Sequence, residues 1–146
     1  IKYPQGRFVF EADVSKIAFV SGGIGITPIR SICRDIADRA LGTDVVLVYG
    51  NNSIDEIAFR DDLEAMRAHS DRFKVVHVLR EAPVGWAGPT GFVSEELLRQ
   101  QIPDFVQRRF YLCGPPPMVE ALKKILVQQL GVPVEHIVTE GFAGYN

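Results

Sequence analysis

The sequence predicts a parallel α/β sheet with helices on both faces. Short β-branched or aromatic runs recur along the chain. Apolar residues at helical spacing fill the stretches between them. A glycine-rich turn follows the first run directly. Strands that alternate with helices imply βαβ units and right-handed crossovers, which bury a parallel sheet on both sides.

The elements follow in order. Lys16 to Ser21 reads as the first strand and runs into Gly22-Gly23-Ile24-Gly25-Ile26-Thr27-Pro28. Glycines between a strand and a helix let backbone approach an anion, and the first-turn N–H groups of the helix point at it. Each such interaction is worth about 0.3–1 kcal/mol when exposed. Thr27 is expected as N-cap and Pro28 at the first helical position. The plainer alternative is an ordinary tight turn. Ile29, Ile32, Ile36 and Ala40 mark the first helix, and Asp44 to Gly50 the second strand. Ser53-Ile54-Asp55-Glu56 has the form of a capping box for a second helix carrying Phe59, Leu63 and Met66. Phe73 to Leu79 is the third strand, Arg80 to Thr90 an irregular stretch, and Val93 to Gln101 a short helix. Arg108 to Cys113 is the fourth strand, Met118, Leu122, Ile125 and Leu126 mark the last helix, and Glu135 to Thr139 is the fifth strand.

A chain of 146 residues fits one domain with a real core. Its net charge of −2 is spread along the chain, which argues against a nucleic-acid surface or a polybasic membrane anchor, and no run approaches a membrane span. Cys33 and Cys113 form neither a CxxC pair nor a zinc spacing, so no metal site is expected and a reducing cytoplasm is. No signal-peptide pattern precedes the first strand. Ile1 opens in mid-pattern, with Phe8-Val9-Phe10 reading as strand, as in a segment of a longer polypeptide.

Ligands of open parallel sheets sit beyond the carboxyl ends of the strands, where strand order reverses. The glycine loop there fits only half of the usual dinucleotide fingerprint, because Pro28 stands at the third glycine. Asn51 and Asn52 replace the carboxylate expected after the second strand, which points to a different α/β nucleotide fold. Tyr111-Leu112-Cys113-Gly114-Pro115-Pro116-Pro117-Met118 is a second strand-end cluster in the same crevice. Cys113 there is either a buried core cysteine or a site residue, and with no base partner it is not a nucleophile. His69, His77 and His136 read as structural. Asp61, Asp62 and Glu64 read as a solvated helix face. Trp86 is a packing anchor or a lid over adenine.

Four segments in order resemble the pyridine-nucleotide domain of the ferredoxin–NADP reductase superfamily. They are Tyr3-Pro4-Gln5-Gly6-Arg7-Phe8, Gly22 to Pro28, Val48-Tyr49-Gly50-Asn51-Asn52, and Cys113-Gly114-Pro115-Pro116-Pro117-Met118. The last is similar to the reductase components of bacterial oxygenases. The resemblance implies a five-stranded sheet of order 3-2-1-4-5. It makes residues 1–12 the end of a flavin barrel and 13–146 the NAD(P)-binding domain. It implies a flavin-dependent oxidoreductase that passes hydride from NAD(P)H to FAD and electrons on to a ferredoxin or other iron–sulfur acceptor. FAD would reside in a barrel on this or another chain. Gly22, Gly23, Gly25, Thr27 and Pro28 would hold pyrophosphate and ribose, with Asn51 beside them. Cys113, Gly114, Pro115 and Met118 would border nicotinamide. Cys113 and Glu140 take the catalytic positions, and Phe142 approaches the flavin. Arg80 and Glu81 offer a 2′-phosphate partner and a ribose-hydroxyl partner. The absence of a full Ser/Arg pair tips the reading towards NADH. The family's Arg-x-Tyr-Ser/Thr flavin motif is absent. The alternatives are a nucleotide-sensing regulatory subunit and a redox-inert scaffold.

Overall fold

The computed structural model describes residues 15–39 and 42–141. Five strands, β1 (Lys16–Gly22), β2 (Asp44–Asn51), β3 (Phe73–Leu79), β4 (Arg109–Gly114) and β5 (Ile137–Gly141), form one sheet of order β3-β2-β1-β4-β5. Every pairing is parallel, with Ser21 opposite both Tyr49 and Cys113. Strand order therefore reverses between β1 and β4. The expected barrel remnant at 1–12, the end of the first-helix pattern at Ala40, and Phe142 lie outside the described residues.

Two cores flank the sheet. On one face α1 (Ile26–Asp38) and α2 (Arg60–His69) bury Ile29, Ile32, Leu63 and Met66 against Phe19, Leu47 and Tyr111. On the other α3 (Glu95–Gln101) and α4 (Pro116–Lys124) bury Leu98, Val119 and Leu122 against Val20, Val48 and Leu112. Alternate strand residues thus feed opposite cores, as the pleat dictates. α4 runs on into a wider π-helical segment, Ile125–Gln129, closed by Leu130 N–H donating to the Ile125 carbonyl at 3.1 Å.

Several local expectations need correction. A 3₁₀ turn over Gly23–Gly25 precedes α1, so the helix starts at Ile26 with Gly25 as N-cap. Thr27 and Pro28 fall two residues further into the first turn than expected, where a missing proline N–H still costs no helical bond. Ser53 does not cap the second helix. Its hydroxyl donates to the Glu56 carboxylate at 3.1 Å over a separate 3₁₀ turn, Ile54–Glu56. Phe59 then takes a left-handed conformation (φ +58°) that breaks the path, and α2 starts at Arg60. Phe59 is exposed rather than part of the core stripe and stacks under the Arg30 guanidinium, 4.6 Å from the ring centre. β5 begins two residues late, because Pro133 opens a turn closed by His136 N–H to the Pro133 carbonyl at 2.9 Å.

Two further features frame the site. The stretch after β3 leaves and returns at one residue: Leu79 N–H donates to the Pro89 carbonyl at 3.3 Å, and Gly91 N–H donates to the Leu79 carbonyl at 2.9 Å. Val84 stands fully exposed at its tip. At the opposite, amino-terminal end of the sheet the Arg108 guanidinium is buried. It donates to Asp104 Oδ1 at 2.8 Å, Asp44 Oδ1 at 2.5 Å, and the Ile17 and Asp44 carbonyls at 2.8 and 3.2 Å. Lys16 Nζ reaches the second Asp104 oxygen at 2.9 Å.

Candidate functional site

A crevice of about 630 Å³ opens over the carboxyl ends of β1 and β2, between them and the start of α4. Its floor is Ser21, Gly22, Gly23, Gly50 and Asn51. Gly23 has φ +48° with open space where a Cβ would stand, the conformation only glycine holds without strain. One wall is polar: Asn52, Glu56 and Arg80. The other is apolar: Phe92, Val93, Pro117, Met118, Leu122 and Ile125. One polar rim, one apolar wall and a bare-backbone floor suit a ligand with an anionic middle and flat rings.

The floor carries unmet hydrogen-bonding capacity. Ser21 Oγ and Asn51 Nδ2 are buried and have no partner among the described residues. Buried polar atoms are almost always satisfied, so two orphans lining one crevice mark places where a ligand's polar atoms belong. The rim is held. Arg80 Nη1 donates to Asn52 Oδ1 at 3.2 Å, and its guanidinium lies 4.3 Å from the Phe92 ring centre. Arg80 N–H and Glu81 N–H donate to the Asn51 and Asn52 carbonyls at 3.1 and 2.7 Å, which extends the β2–β3 ladder past the strands.

Gly22, Gly23, Asn51, Arg80, Pro115 and Met118 line the crevice. Gly114 stands at its edge: a Cβ there would lie 2.8 Å from Met118 Cε. Gly25, Thr27, Pro28 and Glu81 are not among the lining residues. Gly25 turns inward, where a Cβ would lie 2.4 Å from the Cys113 carbonyl oxygen. Cys113 is fully buried in the core under α1, in register with the buried Glu140 of β5. Burial, then the Glu140 carboxylate, pushes its thiol up to about 12, so it is protonated at neutral pH. Trp86 packs within its own loop, its indole N–H donating to the Pro89 carbonyl at 3.1 Å. His77 packs against Tyr49, with 5.9 Å between ring centres. Asp62 pairs with Arg30 at 2.6 Å.

Ser21, Asn52, Phe92 and Glu56 are among the lining residues that the sequence reading did not assign to the site. Ser21 had a signal, a lone polar residue closing an apolar strand just before the glycines. Asn52 had one as well, in its pairing with Asn51. Phe92 and Glu56 had none, because only the closing of the 80–91 loop and the turn after β2 brings them to the crevice.

A crevice at the point where a parallel sheet reverses its strand order places the chain among the nucleotide-binding α/β domains. The chain belongs to the family described as the oxidoreductase NAD-binding domain, whose model matches residues 19–124. NADH-cytochrome b5 reductase 1 of Lodderomyces elongisporus is 40% identical over 131 residues, which cover 87% of this chain and 44% of that protein. The cytochrome b5 reductase domain of Ulva prolifera nitrate reductase superposes with a TM-score of 0.78 at 26% identity, covering 87% of this chain and 50% of that one. The ferredoxin reductase in carbazole 1,9a-dioxygenase gives 0.74 at 26%, covering 94% and 40%. The sheet order and the superfamily resemblance are borne out. The chain spans less than half the length of the Lodderomyces relative.

Proposed function

We propose that this chain is the nucleotide half of a flavin-dependent NAD(P)H reductase. The observation that carries the reading is the pair of unpartnered polar atoms, Ser21 Oγ and Asn51 Nδ2, on the glycine floor of the crevice. The Gly22–Gly23 backbone and the head of α1 take the pyrophosphate. Ser21 and Asn51 supply hydrogen bonds to its oxygens or to ribose. Phe92, Val93 and Met118 supply an apolar surface for a ring, and Arg80 stands at the adenosine end. Gly114 and Pro115 border the nicotinamide end, where Cys113 and Glu140 shape the strand ends from beneath. The chain's contribution to rate is placement, worth about 7–11 kcal/mol when reacting atoms are held about 3–3.5 Å apart.

Bound FAD supplies the hydride acceptor. The segments that the resemblance turns towards it, 1–12 and Phe142, lie outside the described residues. We place the flavin in a barrel domain of the same or a partner chain, and the final acceptor among small one-electron carriers. The Lodderomyces relative's name favours a cytochrome b5-type carrier over the ferredoxin expected from the sequence. The test is calorimetric titration of the full-length protein with NADH and NADPH, followed by stopped-flow flavin reduction. Micromolar binding that Gly23→Ala weakens, with flavin bleaching on mixing, is expected. No binding of either nucleotide would overturn the reading.

A further inference from the structure

Met118 lies against two glycines, Gly22 and Gly114, at the crevice. A Cβ on Gly22 would lie 2.6 Å from its sulfur, and one on Gly114 would lie 2.8 Å from its terminal methyl. The thioether thus packs on two bare glycine faces, one from the phosphate loop and one from the β4 turn. It is half-buried and lines the crevice. The chain has one other methionine, Met66, which is 7% exposed in the core beneath α2. Cys33 and Cys113 are buried, and burial pushes both thiols up, out of reach of the thiolate chemistry that peroxides prefer. Cys33 and Met66 line a second cavity of about 320 Å³ but are themselves buried, so Met118 is the least buried of the four sulfur-bearing residues.

We propose that Met118 is an oxidation site through which hydroperoxides switch nucleotide binding off. The inference rests on the nucleotide reading of the crevice. In the step, the sulfur lone pair attacks one peroxide oxygen and the O–O bond breaks. The sulfur is oxidised by two electrons to the sulfoxide. The second oxygen leaves as hydroxide from hydrogen peroxide, or as alkoxide from an organic hydroperoxide, and takes the proton of the first to become water or the alcohol. The product sets a strongly polar S–O bond in the gap between Gly22 and Gly114. The new oxygen is an acceptor placed beside the loop whose N–H groups the pyrophosphate needs, and its partial negative charge opposes the anion. The apolar contact for a ring is lost as well. Methionine sulfoxide reductases reverse the change at the expense of a thiol reductant.

The test treats the full-length protein with increasing hydrogen peroxide, maps sulfoxides by peptide mass spectrometry, and titrates NADH at each step. Met118 is expected to oxidise before Met66. The NADH dissociation constant should rise tenfold or more in proportion to Met118 sulfoxide and return after treatment with sulfoxide reductase. Met118→Leu, compared with its own untreated sample, should keep its affinity through the same treatment. Oxidation of Met66 first, an unchanged affinity at full Met118 conversion, or an equal loss in Met118→Leu would overturn the proposal. Failure of the untreated protein to bind NADH would strike the nucleotide reading itself, and is distinguishable because peroxide plays no part in it.

Discussion

The α-carbon of Gly25 faces the Cys113 carbonyl so closely that a Cβ would stand 2.4 Å from its oxygen and 2.6 Å from its carbon. The backbone of Gly25 is ordinary, with φ −68°. What demands glycine is the close approach of the head of α1 to β4, the packing task assigned to the third glycine in other dinucleotide folds. Gly25→Val therefore damages the fold and not only the site, contrary to what the glycine-loop reading alone suggests. Overpacking of this kind costs about 1–3 kcal/mol or more. Gly23→Ala, with φ +48° and open space, costs about 1–2 kcal/mol of backbone strain and leaves the packing alone. Urea unfolding should show the larger drop in midpoint for Gly25→Val. Equal midpoints would remove the packing argument.

Ser21→Ala should separate stability from binding. The hydroxyl is buried without a partner in the free protein, so its loss leaves stability unchanged or raises it by about 1 kcal/mol. Nucleotide affinity should fall about five- to tenfold, the value of one ordinary hydrogen bond of about 1–1.4 kcal/mol. Thermal melts paired with NADH titration check both signs. A drop in melting temperature with unchanged affinity would make Ser21 structural.

Arg80, and not Glu81, lines the crevice. Stacked on Phe92 and tied to Asn52, its guanidinium is the group placed to meet charge at the adenosine end. Arg80→Ala should weaken NADPH about tenfold more than NADH, since a charge-assisted hydrogen bond is worth about 1.5–3 kcal/mol. Glu81→Ala should change the ratio of the two affinities little. Titration of both variants with both coenzymes decides the matter, and a ratio that moves with Glu81 alone would reverse it.

Arg108 ties the amino-terminal ends of β1 and β2 to the start of β4. Arg108→Met removes the donor to the Ile17 carbonyl and to Asp44 and leaves Asp104 with Lys16 alone, and should cost about 3 kcal/mol by urea unfolding. The same knot sets an acid limit. Burial alone would push the Asp104 carboxyl up, but hydrogen bonds from Arg108 and Lys16 outweigh it and hold it down to about 2. A carboxyl held low stabilises the fold above its ordinary value near 4. That contribution is lost as pH falls from about 4 through about 2. Unfolding midpoints measured across this window should fall more steeply in the wild type than in Asp104→Asn. Parallel slopes would show that the pair adds nothing.

The strands were legible because a parallel sheet buried on both faces needs unbroken apolar runs, and Ile17 to Val20 or Val45 to Tyr49 can hardly be read otherwise. The glycine floor was legible because chain chemistry there is local. What escaped depends on partners distant in sequence. Nothing around Gly25 announces that a β4 carbonyl lies against it. Arg108 looked like the first residue of a strand, while its side chain serves β1 and β2 from across the sheet. Phe59 fitted a helical stripe with Leu63 and Met66, yet its left-handed backbone and the Arg30 stack place it outside.

The return of the chain at Leu79 has a consequence for how this domain can be altered. Residues 82–89 lie between the Arg80 and Glu81 bonds to Asn51 and Asn52 and the two hydrogen bonds at Leu79, so a change around Val84 leaves the sheet's hydrogen bonds in place. Lengthening such a loop adds only about 0.6 kcal/mol of closure entropy per doubling. The segment around Val84 is thus a natural place to graft a peptide tag, a fluorophore-bearing cysteine or a longer recognition loop, directly beside the Arg80 rim and without a change of register anywhere in β1 to β5.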